Sequence, residues 1–148
     1  MKTRILICFV CVIFFITPIV ADDISIEECM KLVSGTWINN EYRGDGIFGK
    51  QIRHENGWVD AYIEATDTEI YRKGKIEIVE AWVDNEGDVW FKTHSFVGEY
   101  EKGVEPSKYD LCRISKSGNV LEYIWSYHGP PTEIDPNHLF YRIYYRQE

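Results

Sequence analysis

Leu32-Val33-Ser34-Gly35-Thr36-Trp37 marks the handover from a short helix to the first of a run of β-strands. Working back from it, Ser25 precedes Ile26-Glu27-Glu28, a Ser-x-x-Glu capping box in which the Ser25 hydroxyl takes a free helix amide and Glu28 reaches back to the Ser25 amide. Ile26, Met30 and Val33 then share one face with Cys29, and Ser34-Gly35 is a C-terminal stop because glycine tolerates the left-handed conformation. About two turns of helix are unstable alone, so this face must pack on something. Working forward, Trp37 opens a strand through Ile38, Asn39, Asn40, Glu41 and Tyr42.

Upstream lies a segment of different character. Lys2 and Arg4 precede an apolar run from Ile5 to Val20, broken by Thr17-Pro18 and followed by Ala21 before Asp22-Asp23. The run is short for a membrane span and reads as a secretory signal peptide over residues 1–21, leaving one domain over 22–148 in a secreted or periplasmic protein. The full chain carries a formal charge of −8, and loss of Lys2 and Arg4 lowers it to −10. Nucleic acid and anionic membrane surfaces are therefore poor partners, since both are bound through excess Lys and Arg. Cys8 and Cys11 leave with the leader, so an exported chain keeps Cys29 and Cys112, which are expected to pair. Closing that loop of about 80 residues is worth roughly 4 kcal/mol before strain.

Downstream the chain is strand and turn. Arg43-Gly44-Asp45-Gly46 is a glycine-rich loop; as an adhesion tripeptide it carries little weight, because the glycines already explain a turn. Strands are expected at 50–54 and 58–64 around Asn56-Gly57, at 75–83, 88–98, 108–115 and 120–128, and last at 139–146. The stretch from Gly129 to His138, with Pro130, Pro131 and Pro136, must cross an end of the sheet. About eight short strands with turn signals between neighbours give an all-β fold, an up-and-down antiparallel barrel or a sandwich. In a barrel, the helix and Trp37 plug one end. By the two-residue strand period Leu121, Tyr123, Trp125 and Tyr127 share a face, Ile76, Ile78 and Trp82 are in phase, and so are Trp58 and Tyr62. This aromatic excess means either a well-filled core or a lined pocket.

The Gly35-x-Trp37 step at the head of an all-β chain of this size resembles the opening motif of the calycin superfamily of lipocalins, fatty-acid-binding proteins and avidins. The final strand, Tyr141-Arg142-Ile143-Tyr144-Tyr145-Arg146, resembles the closing strand of fatty-acid-binding proteins, where an Arg-x-Tyr pair points inward and holds a ligand carboxylate. The resemblance implies that role for Arg142 and Tyr144, and the in-phase aromatics Trp125, Tyr123, Trp82 and Trp58 are the candidate lining. A guanidinium fits it chemically, since it binds a carboxylate through two parallel hydrogen bonds. A late lipocalin arginine instead packs across the motif tryptophan, which implies closure of the barrel on Trp37 by Arg142 or Arg146. The chain departs from fatty-acid-binding proteins in having too short a loop after the first strand for their helical lid, and from lipocalins in lacking a full Thr-Asp-x-x-Arg stretch.

No nucleophile elbow, phosphate loop or metal-spaced histidine cluster is present; His54, His94, His128 and His138 fall on different elements. No cofactor or metal is expected. Three readings follow: an exported lipocalin-like carrier of a small apolar or amphipathic molecule, with or without a carboxylate; a protein-binding or inhibitor module whose barrel is filled by its own aromatics; and, with least support, an enzyme on a barrel scaffold.

Overall fold

The computed structural model of the chain describes residues 22–39, 48–98 and 105–148. The expected leader at 1–21, the end of the expected first strand at 40–42 and the Arg43-Gly44-Asp45-Gly46 loop lie outside the described residues. In chain order the elements are β1 (Asp22–Asp23), α1 (Ile26–Val33), β2 (Gly35–Ile38), β3 (Lys50–Arg53), β4 (Trp58–Tyr62), β5 (Arg72–Val83), β6 (Val89–Val97), β7 (Lys108–Ile114), β8 (Val120–Ser126) and β9 (Arg142–Arg146). Pairing runs β5-β4-β3-β2-β9-β8-β7-β6, all antiparallel, and β6 returns to β5, so eight strands close into an up-and-down barrel. Closure leaves none of these eight as an open edge. The two-residue β1 adds outside the cycle, pairing with the end of β5.

The capping box forms in full. Glu28 N donates to Ser25 Oγ at 3.2 Å, and Ser25 N donates to Glu28 Oε2 at 3.2 Å. The helix stops differently from expectation. Ser34 is extended (φ −69°, ψ 145°), and its amide and hydroxyl both donate to Met30 O, so no left-handed residue is needed at the cap. Gly35 has φ 130°, and a Cβ there would meet Arg146 Nη1 at 2.7 Å, so the glycine of the Gly-x-Trp step answers to the last strand and not to the helix.

One end of the barrel is closed by α1 and by the turns at 54–57, 84–88 and 115–119. The other carries the longer connections, including 63–71 and 127–141. The core at the closed end gathers Cys29, Val33, Trp37, Ile76, Ile78, Val89, Phe91, Cys112, Ile114, Leu121, Tyr123 and Tyr144.

Two expectations are corrected here. Cys29 and Cys112 share this core but are free thiols, not a disulfide. Both are packed as small apolar groups in surroundings that favour the neutral S–H: burial pushes Cys29 up to about 12 and Cys112 well above its ordinary value, the latter helped by nearby Asp110. The second correction is the phase of β5. Ile76 pairs with Ser95 and Ile78 with Thr93, but the register then shifts, so that Glu80 pairs with Lys92, Ala81 with Phe91 and Trp82 with Trp90. Val79 is the extra residue of a β-bulge, and beyond it every side chain changes face. Trp82 is therefore outside, stacked with Trp90 (centroids 6.2 Å apart, planes 12°) beneath Lys92, while Ala81 and Val83 turn to the core.

Candidate ligand-binding site

The interior site begins with the pairing of β2 and β3. Trp37 is fully buried and stands opposite Gln51, which forces Gln51 and, two residues on, Arg53 to the inside. Simple alternation in Lys50-Gln51-Ile52-Arg53 would have put Ile52 inside; the register decides against it. Arg53 is only 7% exposed. Its Nε and Nη2 both donate to Gln51 Oε1, at 3.2 and 3.0 Å, and its guanidinium lies 5.5 Å from the centroid of Tyr123. It makes no ion pair among the described residues.

Gln51 ties this arginine to the aromatic floor. Its Nε2 donates to the hydroxyls of Tyr123 and Tyr144, each at 3.2 Å, and Tyr144 Oη donates to Phe48 O at 2.9 Å. The two tyrosine rings stack at 5.9 Å with planes 8° apart. Burial, with Tyr123 as neighbour, holds the Tyr144 phenol well above its ordinary value, so it remains a neutral donor.

Across from Arg53, β6 and β7 supply Thr93, Ser95 and Asp110. Asp110 is 4% exposed; its Oδ2 accepts from Thr93 Oγ1 at 2.8 Å and from Ser95 Oγ. Lys108 Nζ lies 3.9 Å from Oδ1 and 5.0 Å from the Trp125 centroid.

Between these walls is a cavity of about 90 Å³, lined among others by Phe48, Val59, Ala61, Ile76, Cys112 and Tyr123. Arg53, Arg72, Lys73, Lys75 and Lys108 line it against a single carboxylate, Asp110. In a chain of net −8 this is a local reversal of sign. Of these five cations only Arg53 is buried; Arg72 and Lys73 are exposed, and Lys75 turns its ammonium out to Asn56 O and the Trp58 ring.

Of the residues anticipated as a ligand set, the structure brings Tyr123 to the cavity and Tyr144 beside it. Arg142 stands in register with Tyr123, but its Nη1 donates to the carbonyls of Leu139 and Tyr141 at 2.9 and 2.7 Å, which holds the guanidinium at the rim, and it is not among the residues lining the cavity. Trp125 is at the open end, stacked on Phe140 at 3.9 Å. Trp58 and Trp82 do not line the cavity: Val59 and Ala61 are the inward residues of β4, leaving Trp58 on the outer face beneath Lys75, and the bulge removes Trp82. Arg53, Gln51 and Asp110 were missed because polar side chains on a strand read as solvated. The available signal was the in-phase polar pair Gln51 and Arg53 on a strand that must neighbour Trp37.

Barrel closure falls to Arg146, whose guanidinium lies 4.4 Å from the Trp37 centroid. Among the described residues no group of three His, Cys, Asp or Glu could hold a metal ion, and no helix is long and apolar enough to cross a membrane. No family model, curated protein or solved structure matches the chain.

Proposed function

We propose that this is an exported, lipocalin-like protein that binds a small amphipathic molecule inside its barrel, with the anionic head of the ligand held by Arg53. The observation that carries the reading is a buried guanidinium on the cavity wall that has only neutral partners, Gln51 and the Tyr123 ring, among the described residues. A buried cation without a counter-charge is costly, and an arriving carboxylate removes that cost while gaining charge-assisted hydrogen bonds. The apolar part of the wall, with Phe48, Val59, Ala61 and Ile76, suits a short hydrocarbon portion.

A protein-binding module with a self-filled barrel is the competing reading, favoured by the small size of the cavity. Titration of fatty acids and aromatic acids, followed by tryptophan fluorescence and calorimetry, separates the two. Arg53→Gln is expected to weaken binding at least about tenfold, whereas Arg142→Gln changes it little. Unchanged affinity in a folded Arg53→Gln variant, or no binding by the wild type, overturns the carrier reading.

A further inference from the structure

We infer that the barrel ligand is dipolar, carrying a protonated amine that docks on Asp110 in addition to the anionic group that docks on Arg53. The inference rests on the anion reading above and names the second pole of the same site. Its ground is that the two buried charges are held in the same one-sided way. Thr93 and Ser95, from β6, both donate to Oδ2 of Asp110, leaving Oδ1 with no hydrogen bond and only Lys108 Nζ at 3.9 Å. Arg53 likewise commits Nε and Nη2 to one oxygen of Gln51 and makes no hydrogen bond through Nη1. Each group is thus hydrogen-bonded by neutral partners on one side, with an atom left over that makes no hydrogen bond; Asp110 alone also has a cation, Lys108 Nζ, at 3.9 Å, and both groups line the same cavity.

Arg53 and Asp110 do not form an ion pair with each other, so the cavity holds separated charges of opposite sign. A simple carboxylate satisfies Arg53 but leaves Oδ1 of Asp110 without a hydrogen-bond donor. A simple amine meets the mirror problem at Arg53. A molecule with both groups meets each pole with its complement and adds no net charge. Lys108 does not take the place of the amine: 3.9 Å is too long for a hydrogen bond, and its ammonium lies 5.0 Å from the Trp125 ring centroid.

The test is calorimetric titration of the full mature chain with hexanoate, hexylamine, norleucine and 6-aminohexanoate, which share a carbon count and differ in charge. One of the two zwitterions is expected to bind at least about tenfold more tightly than hexanoate or hexylamine. Asp110→Asn keeps an acceptor for Thr93 and Ser95, and is expected to abolish that advantage while leaving hexanoate binding equal or tighter. Equal binding of hexanoate and both zwitterions, or an advantage that survives Asp110→Asn, overturns the inference. Loss of hexanoate binding in Arg53→Gln without any zwitterion preference defeats only the dipolar inference. Hexanoate binding indifferent to Arg53→Gln defeats the anion reading beneath it. If Asp110→Asn does not fold, the wild-type ranking of the four compounds decides by itself.

Discussion

The guanidinium of Arg146 lies 4.4 Å from the centroid of the Trp37 ring and at the same time donates to the carbonyls of Gly118, Ser34 and Leu32. One side chain from the last strand thereby covers the first tryptophan, takes two carbonyls at the helix exit and ties down the β7–β8 turn. Trp37 completes the arrangement by donating from Nε1 to Val33 O at 2.8 Å. The first and last strands of the closed cycle, β2 and β9, are joined here, so this contact seals the barrel.

Trp37→Ala is expected to cost about 3–5 kcal/mol, the range for a large aromatic removed from a core. Arg146→Met keeps most of the covering hydrocarbon but loses the charge-assisted bonds, and is expected to cost about 2 kcal/mol. Gly35→Ala strains a backbone at φ 130° and crowds Arg146, at about 1–3 kcal/mol. Urea denaturation of the three variants checks the order, and a Trp37→Ala midpoint equal to wild type would show that the plug is not part of the core.

Trp82 provides the contrast. On the outer face it stacks on Trp90 and lies beneath Lys92, so Trp82→Ala is expected to cost about 1 kcal/mol, well below Trp37→Ala. Deleting Val79 removes the bulge but keeps Ile78 on Thr93, Glu80 on Lys92 and Trp82 on Trp90, so Trp82 is expected to stay outside and the cost to stay well below that of Trp37→Ala. Equal losses from Trp82→Ala and Trp37→Ala would place both rings inside.

Alkali should unfold the protein through groups that the fold keeps neutral. Cys29 is raised from 9.0 to about 12, so the unfolded chain ionises where the native chain does not. Stability from this group is complete below pH 9 and is lost as pH rises from 9 to about 12. Tyr144, held well above 10.0, and Cys112 add in the same direction. The melting temperature is expected to fall steeply across that window, with a shallower fall in Cys29→Ala. Native thiols should react with a disulfide reagent far more slowly than unfolded ones. A melting temperature flat to pH 11, or prompt labelling of both cysteines in the native state, would contradict this placement.

What the sequence determined alone was whatever depends on neighbours along the chain. Ser25 and Glu28 specify the start of the helix because a capping box spans four residues, and the alternation of Leu121 and Tyr123 specifies an inward face because the strand period is two. Gly35-x-Trp37 likewise marked the barrel's closed end. Even the bulge left a trace, since Ile78-Val79 breaks an alternation that would otherwise put Glu80 inside. Which arginine belongs to the interior was decided only by tertiary structure. Arg53 is inside because Gln51 faces Trp37 across β2 and β3 and reaches Tyr123 and Tyr144, 72 and 93 residues away in the chain. Arg142, in the position that local spacing favours, is captured instead by the carbonyls of Leu139 and Tyr141. Period and capping are local consequences of backbone geometry; the partner that satisfies a buried charge is set by register between distant strands, and no window of sequence contains it.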